Sequence, residues 1–155
     1  MIKPILSTHV GSLPRSQSTV DFIFARENNE IYDPSEFQIE MTSAVDAVVL
    51  KQNQAGIDIV SDGETSKISY ATYVKDRYTG FSGDSPRNAP GDLKLFPDFL
   101  KKLVSSGGTP TYSRPFCTGE IKSKETDDLQ HDLDNLRLAV TKQKAGRAFM
   151  NAASP

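Results

Sequence analysis

The opening apolar positions follow a strand-like pattern. Ile5 and Leu6, with Ser7, Thr8, His9 and Val10, form a short β-prone run that Gly11-Ser12-Leu13-Pro14 stops, so a strand followed by a loop is expected. From Asp33 the pattern turns helical. Asp33 suits a cap, Pro34 the first helical position, and Glu36 the positive end of the helix dipole. Phe37, Met41, Ala44, Val45, Val48, Gln52 and Ala55 then share one face at helical spacing, and Gly56 is a natural stop. Ile57-Asp58-Ile59-Val60 follows at once as a β-rich run ended by Ser61-Asp62-Gly63-Glu64. Strand, helix, turn and strand make a βαβ unit, which implies parallel strands joined by a right-handed crossover.

Residues 79–92 are rich in Gly and Pro and are expected to be an irregular surface excursion. Leu93, Leu95, Phe96, Phe99, Leu100 and Leu103 then predict a short helix that Ser105 to Pro110 ends. Phe116, Cys117 and Thr118, before Gly119-Glu120-Ile121, predict a third strand. A second long helix opens near Thr126, carries Leu129, Leu133, Leu136 and Val140 at intervals of four, three and four, and stops at Gly146. Ala148 to Ala153 predict a fourth strand, after which the sequence shows no further helix.

Length and charge narrow the picture. A chain of 155 residues suits one domain of ordinary size and is too short for a complete eight-unit α/β barrel, which needs about 200–250 residues. With 18 basic against 20 acidic residues and no long run of like charge, nothing suggests a nucleic-acid surface. No apolar stretch is long enough for a signal peptide or a membrane span, and the single cysteine, Cys117, forms no internal disulfide, so a cytoplasmic protein is expected.

In parallel α/β architectures chemistry gathers at the carboxyl ends of the strands. The first strand ends in His9, Gly11 and Ser12, the second in Asp62, Gly63 and Glu64, the fourth in Asn151, Ser154 and Pro155. Gly11-Ser12 is either a plain turn or a place where backbone N–H groups and a hydroxyl approach a carboxylate. Glu64 is either a solvated turn carboxylate or a receptor for an ammonium group. His9 reads as a hydrogen-bonded strand-end histidine, His131 as solvated, and Cys117 as a buried, inert thiol.

Several segments carry a resemblance together: Thr8-His9-Val10-Gly11-Ser12-Leu13-Pro14-Arg15, then Gln52, then Ala55 to Glu64, then Tyr73, Arg77, Gly80 and Phe81, and finally Ala152-Ala153-Ser154-Pro155. Their order and spacing resemble the cobalamin-independent methionine synthase family, its catalytic barrel and the shorter relatives that include epoxyalkane:coenzyme M transferases. The resemblance implies a partial (β/α)8 TIM barrel, roughly the first four βα units, with residues 1–155 as its N-terminal half. It also implies that Val10, Gly11 and Ser12 bind the carboxylate and Glu64 the ammonium group of an amino-acid thiol such as homocysteine. His9 and Asp62 lie beside them as site-lining candidates, and no role carries over to His9, since the synthases generally have another residue there.

In that family zinc activates the thiol, which takes a methyl group from a donor such as methyltetrahydrofolate. The metal ligands, a His-x-Cys pair with a Glu and a further Cys, belong to the second half of the barrel, and Cys117 matches none of them. No folate-contacting residue carries over near Ser113-Arg114-Pro115. The resemblance therefore implies a methyl- or alkyl-transferase whose 155-residue part, alone, holds no zinc and turns over nothing. Two other readings stand beside it: a non-catalytic half-barrel that self-associates through its open sheet edge, and a uroporphyrinogen-decarboxylase-like barrel that uses no zinc.

Overall fold

A computed structural model describes residues 5–85, 91–106 and 112–152. The longest element, α2 (Pro34–Gln54), forms for the reasons its sequence advertises. The Asp33 carboxylate accepts the backbone N–H groups of Ser35 and Glu36 at 2.7 and 3.2 Å, Pro34 opens the helix, and Gly56 leaves it at φ +76°. Phe37, Met41, Val45, Val49 and Gln52 form its buried face.

That face packs on two partners. Val45 and Val49 meet Val60 together with Leu136 and Ala139 of α5 (Asp128–Gln143). Phe37 and Met41 meet Ile23 and Phe24 of α1 (Gln17–Glu27), a helix capped by Ser16, whose hydroxyl accepts from the Thr19 N–H at 3.0 Å. A fourth helix, α3 (Tyr70–Arg77), opens on a reciprocal capping box between Ser69 and Thr72. Ion pairs tie it to its neighbours: Lys75 to Glu27 of α1 at 2.6 Å, and Arg77 to Asp132 of α5 at 3.0 Å.

The parallel part of the sheet is small. β1 (Val60–Ser61) pairs with β4 (Ala148–Phe149), Val60 opposite Ala148 and Ser61 opposite Phe149. On the other side of this register Thr8 bridges Ile59, also parallel, supported by the Ile59 N–H to the Ser7 carbonyl at 3.1 Å. The first predicted strand is thus a single bridge rather than a ladder. Its side chains explain this, since Ile5 is 98% exposed and Val10 68% exposed, leaving little burial to hold a longer strand.

The predicted third strand differs in kind. β3 (Phe116–Cys117) runs antiparallel to β2 (Phe81–Ser82), inside the segment expected to be irregular, and takes no part in the β1–β4 sheet. Gly80 permits the ribbon: at φ +82° a side chain there would meet the carbonyl oxygens of Gly119 and Glu120 at 2.7 Å. Cys117 is exposed on this ribbon, not buried as its apolar neighbour Phe116 suggested. A short 3-10 turn (Leu93–Leu95) and α4 (Pro97–Ser106) replace the single helix expected from Leu93, and Leu95, Phe96 and Phe99 are exposed. Residues 86–90, 107–111 and 153–155, with Ser154 and Pro155 among them, lie outside the described residues. The described architecture is mixed α/β with short strands.

Candidate functional site

The loops after the first bridge and after β1 are stapled together. The Leu13 N–H donates to the Gly63 carbonyl at 3.0 Å. From α2, the Gln52 amide grips both backbone groups of Ser61: its Nε2 donates to the carbonyl at 2.8 Å, and its Oε1 accepts the N–H at 3.0 Å. The end of β1 is therefore fixed to the helix before it. Gly63 is the residue the next step demands, since at φ +61° an added Cβ would lie 2.8 Å from Val48 Cγ1.

Glu64 follows at φ +55°, a left-handed conformation that costs a non-glycine residue about 1 kcal/mol or more. Glu64 is only 9% exposed, and its carboxylate sits among donors. Ser12 Oγ donates to Oε2 at 2.6 Å, while the Tyr70 hydroxyl and Asn151 Nδ2 both donate to Oε1, at 2.8 and 2.9 Å. Burial pushes the Glu64 carboxyl up, but the bonds from Ser12, Asn151 and Tyr70, with the charge of Lys67, outweigh it and hold the group below the ordinary carboxylate range. Glu64 is thus ionised at neutral pH. Burial, reinforced by the bond to Glu64 and by the charges of Glu64 and Asp62, pushes the Tyr70 hydroxyl up to about 12, so Tyr70 remains a donor.

Ser12 and Glu64, both read from the sequence as site residues, are brought into direct contact. Gly11 lies beside them at φ +106°, with nothing within 4 Å of where a Cβ would be, so glycine is required for the backbone angle and not for space. Val10 is exposed. Asp62 supports the turn: Oδ2 meets the Lys67 ammonium at 2.5 Å, and Oδ1 accepts the Glu64 N–H at 3.1 Å. His9 is half-buried, and its Nε2 finds no hydrogen-bond partner among the described residues. His131 is exposed as expected, though its Nδ1 lies 3.1 Å from the Gln38 amide.

Two members of the cluster enter only with the structure. Asn151 stood among the polar residues of the last strand but carried no assigned role, and Tyr70 was not singled out at all. The signal for Tyr70 was present in Ser69 and Thr72, whose capping box makes Tyr70 the first residue of α3, six residues after Glu64. Arg15 was noted only as part of a motif, yet it donates to three carbonyls of the Glu64 turn: Nε to Thr65 at 2.9 Å, and Nη2 to Glu64 at 2.6 Å and Lys67 at 2.5 Å. Further along, the Arg77 guanidinium stacks 3.5 Å above the Tyr73 ring centroid.

No protein-family model and no curated protein matches this sequence. A solved structure does match: a B12-independent methionine synthase from Shewanella sp. W3-18-1 in complex with selenomethionine, with a TM-score of 0.54 and 17% sequence identity. The chain shares its fold with part of that synthase. The match covers 96% of this chain and 42% of the other, so this chain spans less than half the length of its structural neighbour. At this identity the likeness establishes fold, and the chemistry of the site rests on the residues described above.

As for a metal, no group of three or more His, Cys, Asp or Glu side chains among the described residues could hold one. The described residues therefore offer no ligand set for zinc. No helix among the described residues is long and apolar enough to cross a membrane.

Proposed function

We propose that this chain carries the amino-acid-recognition part of a methyl- or alkyl-transferase that acts on a thiol, built as the N-terminal portion of a (β/α)8 barrel. The observation that carries the reading is the contact between Ser12 and Glu64, at 2.6 Å, at the ends of two parallel strand positions. An ionised, shielded carboxylate is a receptor for an ammonium group, and it gains strength from its low-dielectric surroundings. The backbone at Gly11 and Ser12 is the matching place for the ligand carboxylate. Homocysteine has both groups on one carbon and a thiol beyond them, and a methyl donor such as methyltetrahydrofolate completes the reaction class. The fold shared with a methionine synthase supports the same reading.

The chain's own residues would bind and orient the thiol substrate. Tyr70 and Asn151 keep one carboxylate oxygen occupied, so an ammonium group would use the acceptor capacity that Oε2 retains beside Ser12. A ligand held there by its ammonium and carboxylate groups directs its side chain away from the turn. Crystals soaked with L-methionine test this: density against the Gly11-Ser12 backbone and the Glu64 carboxylate is expected, and a ligand bound elsewhere, or none at saturating concentration, contradicts it.

A second reading, an assembly module, draws on the edge of the sheet. Among the described residues β4 has β1 as its single strand neighbour, which leaves its other edge free to pair with a second copy. Sedimentation over a range of concentrations distinguishes a self-associating chain from a monomer.

A further inference from the structure

We propose that Arg15 is the positioning residue for Glu64: through the carbonyls of Glu64, Thr65 and Lys67 its guanidinium holds the Glu64 backbone in the left-handed conformation and so aims the carboxylate at Ser12, Tyr70 and Asn151. Its functional weight rests on the ammonium reading of Glu64, while its geometry does not.

The argument begins with what the turn requires. Residues 61–67 reverse direction at the end of β1 through two successive positive-φ residues, Gly63 and Glu64. Glycine adopts such an angle freely, but glutamate does so only when its surroundings over-determine it. Three carbonyls of the turn, those of Glu64, Thr65 and Lys67, point at one guanidinium, with distances of 2.6, 2.9 and 2.5 Å. The carbonyl of Glu64 itself is among them, so the clamp acts on the strained residue directly.

Only arginine suits this task. Its planar fork presents fixed donors along two edges, whereas a lysine ammonium is one compact point on a flexible stem. Burial lowers the Arg15 pKa and the charges of Glu64 and Asp62 oppose that, so the guanidinium that clamps the turn also lies in the field of the group it positions. The Leu13 N–H, bonded to the Gly63 carbonyl two residues before Arg15, brings the same loop into register with the turn. Arg15 touches the backbone of Glu64 and not its carboxylate, which makes it a residue that acts through another.

The test reads Glu64 without any ligand. In labelled protein, the three-bond coupling between the amide and α protons of Glu64 reports its φ, and the side-chain carboxyl carbon reports its hydrogen bonds. Arg15→Ala and Arg15→Lys are both expected to shift these two signals and to speed amide exchange of residues 64–67 by about tenfold or more. Asn53→Ala serves as the control for general destabilisation, because it removes a 2.7 Å bond to the Gln143 carbonyl that binds α2 to α5 without touching the turn. It is expected to leave both Glu64 signals unchanged.

Wild-type values of both signals in folded Arg15→Ala overturn the proposal. Should that variant not fold, Arg15→Lys decides, and wild-type signals in it overturn the proposal equally. Adding L-methionine to the wild type separates this from the functional reading. A wild type that ignores methionine while Arg15→Ala shifts Glu64 refutes the recognition site and leaves the clamp standing, and the reverse pattern refutes the clamp alone.

Discussion

The hydroxyl of Ser12 donates to the carboxylate of Glu64 across 2.6 Å, although 52 residues separate them in the sequence. Nothing local in either segment requires the contact. It exists because the residues after Thr8 and the turn after β1 leave adjacent, parallel strand positions at the same end, and the Leu13 to Gly63 bond joins the two loops there.

The ionisation of Glu64 gives this arrangement a pH signature. Its folded pKa lies below the ordinary value of 4.5, so its contribution to stability is fully present above that value and is lost as the pH falls through the folded pKa. Denaturation of the wild type and of Glu64→Gln, from about pH 6 to about pH 3, measures it. The stability advantage of the wild type is expected to shrink below about pH 4.5. An advantage that stays constant over the whole range contradicts the account.

Gln52 is expected to be costly to remove. Its amide supplies the partner for both the N–H and the carbonyl of Ser61, which is buried, so Gln52→Ala leaves two shielded backbone groups unpaired. At about 1–3 kcal/mol for an unsatisfied group, with partial relief by water, the loss is about 2–4 kcal/mol. Urea denaturation checks it, and a loss well under 1 kcal/mol would show that Ser61 finds other partners.

Cys117 is expected to react in the native state. It is exposed on the β2–β3 ribbon, so a thiol reagent such as iodoacetamide reaches it without unfolding. Mass spectrometry of the folded protein is expected to show one alkylated site at a rate close to that of a free thiol. Protection until denaturant is added contradicts the exposed position.

How much of this was legible in the sequence depends on the range of the forces involved. The cap at Asp33 and the apolar spacing from Phe37 define α2 locally, and that helix forms as expected with Val49 in place of Val48 at full burial. α1 was not foreseen although Val20, Ile23 and Phe24 fall at helical spacing behind the Ser16 cap, because that stripe is only one turn long and its burial against Phe37 and Met41 is a tertiary fact. Leu129 and Leu133 continue the stripe of α5 in sequence yet are exposed, because the face that meets α2 runs through His131, Asn135, Ala139 and Gln143 instead. A β-prone run such as Phe116 to Thr118 says nothing of its direction, which the distant Phe81 and Ser82 decide.

The site divides in the same way. Ser12 and Glu64 were recognisable from motifs at strand ends, whereas Tyr70, Asn151 and Arg15 acquire their roles only through the folded contacts to Glu64 and its turn. Val10 and Asp62 stand near the motif in sequence; Val10 is exposed, and Asp62 is engaged with Lys67.

Calorimetric binding of L-homocysteine, beside the same molecule without its amino group, tests the central claim most directly, with wild type and Glu64→Gln compared under reducing conditions. The account predicts that the wild type binds the amino acid at least about tenfold more tightly than the desamino thiol, and that Glu64→Gln abolishes the difference. Equal affinity of the wild type for both ligands, or a preference that survives in Glu64→Gln, would contradict it.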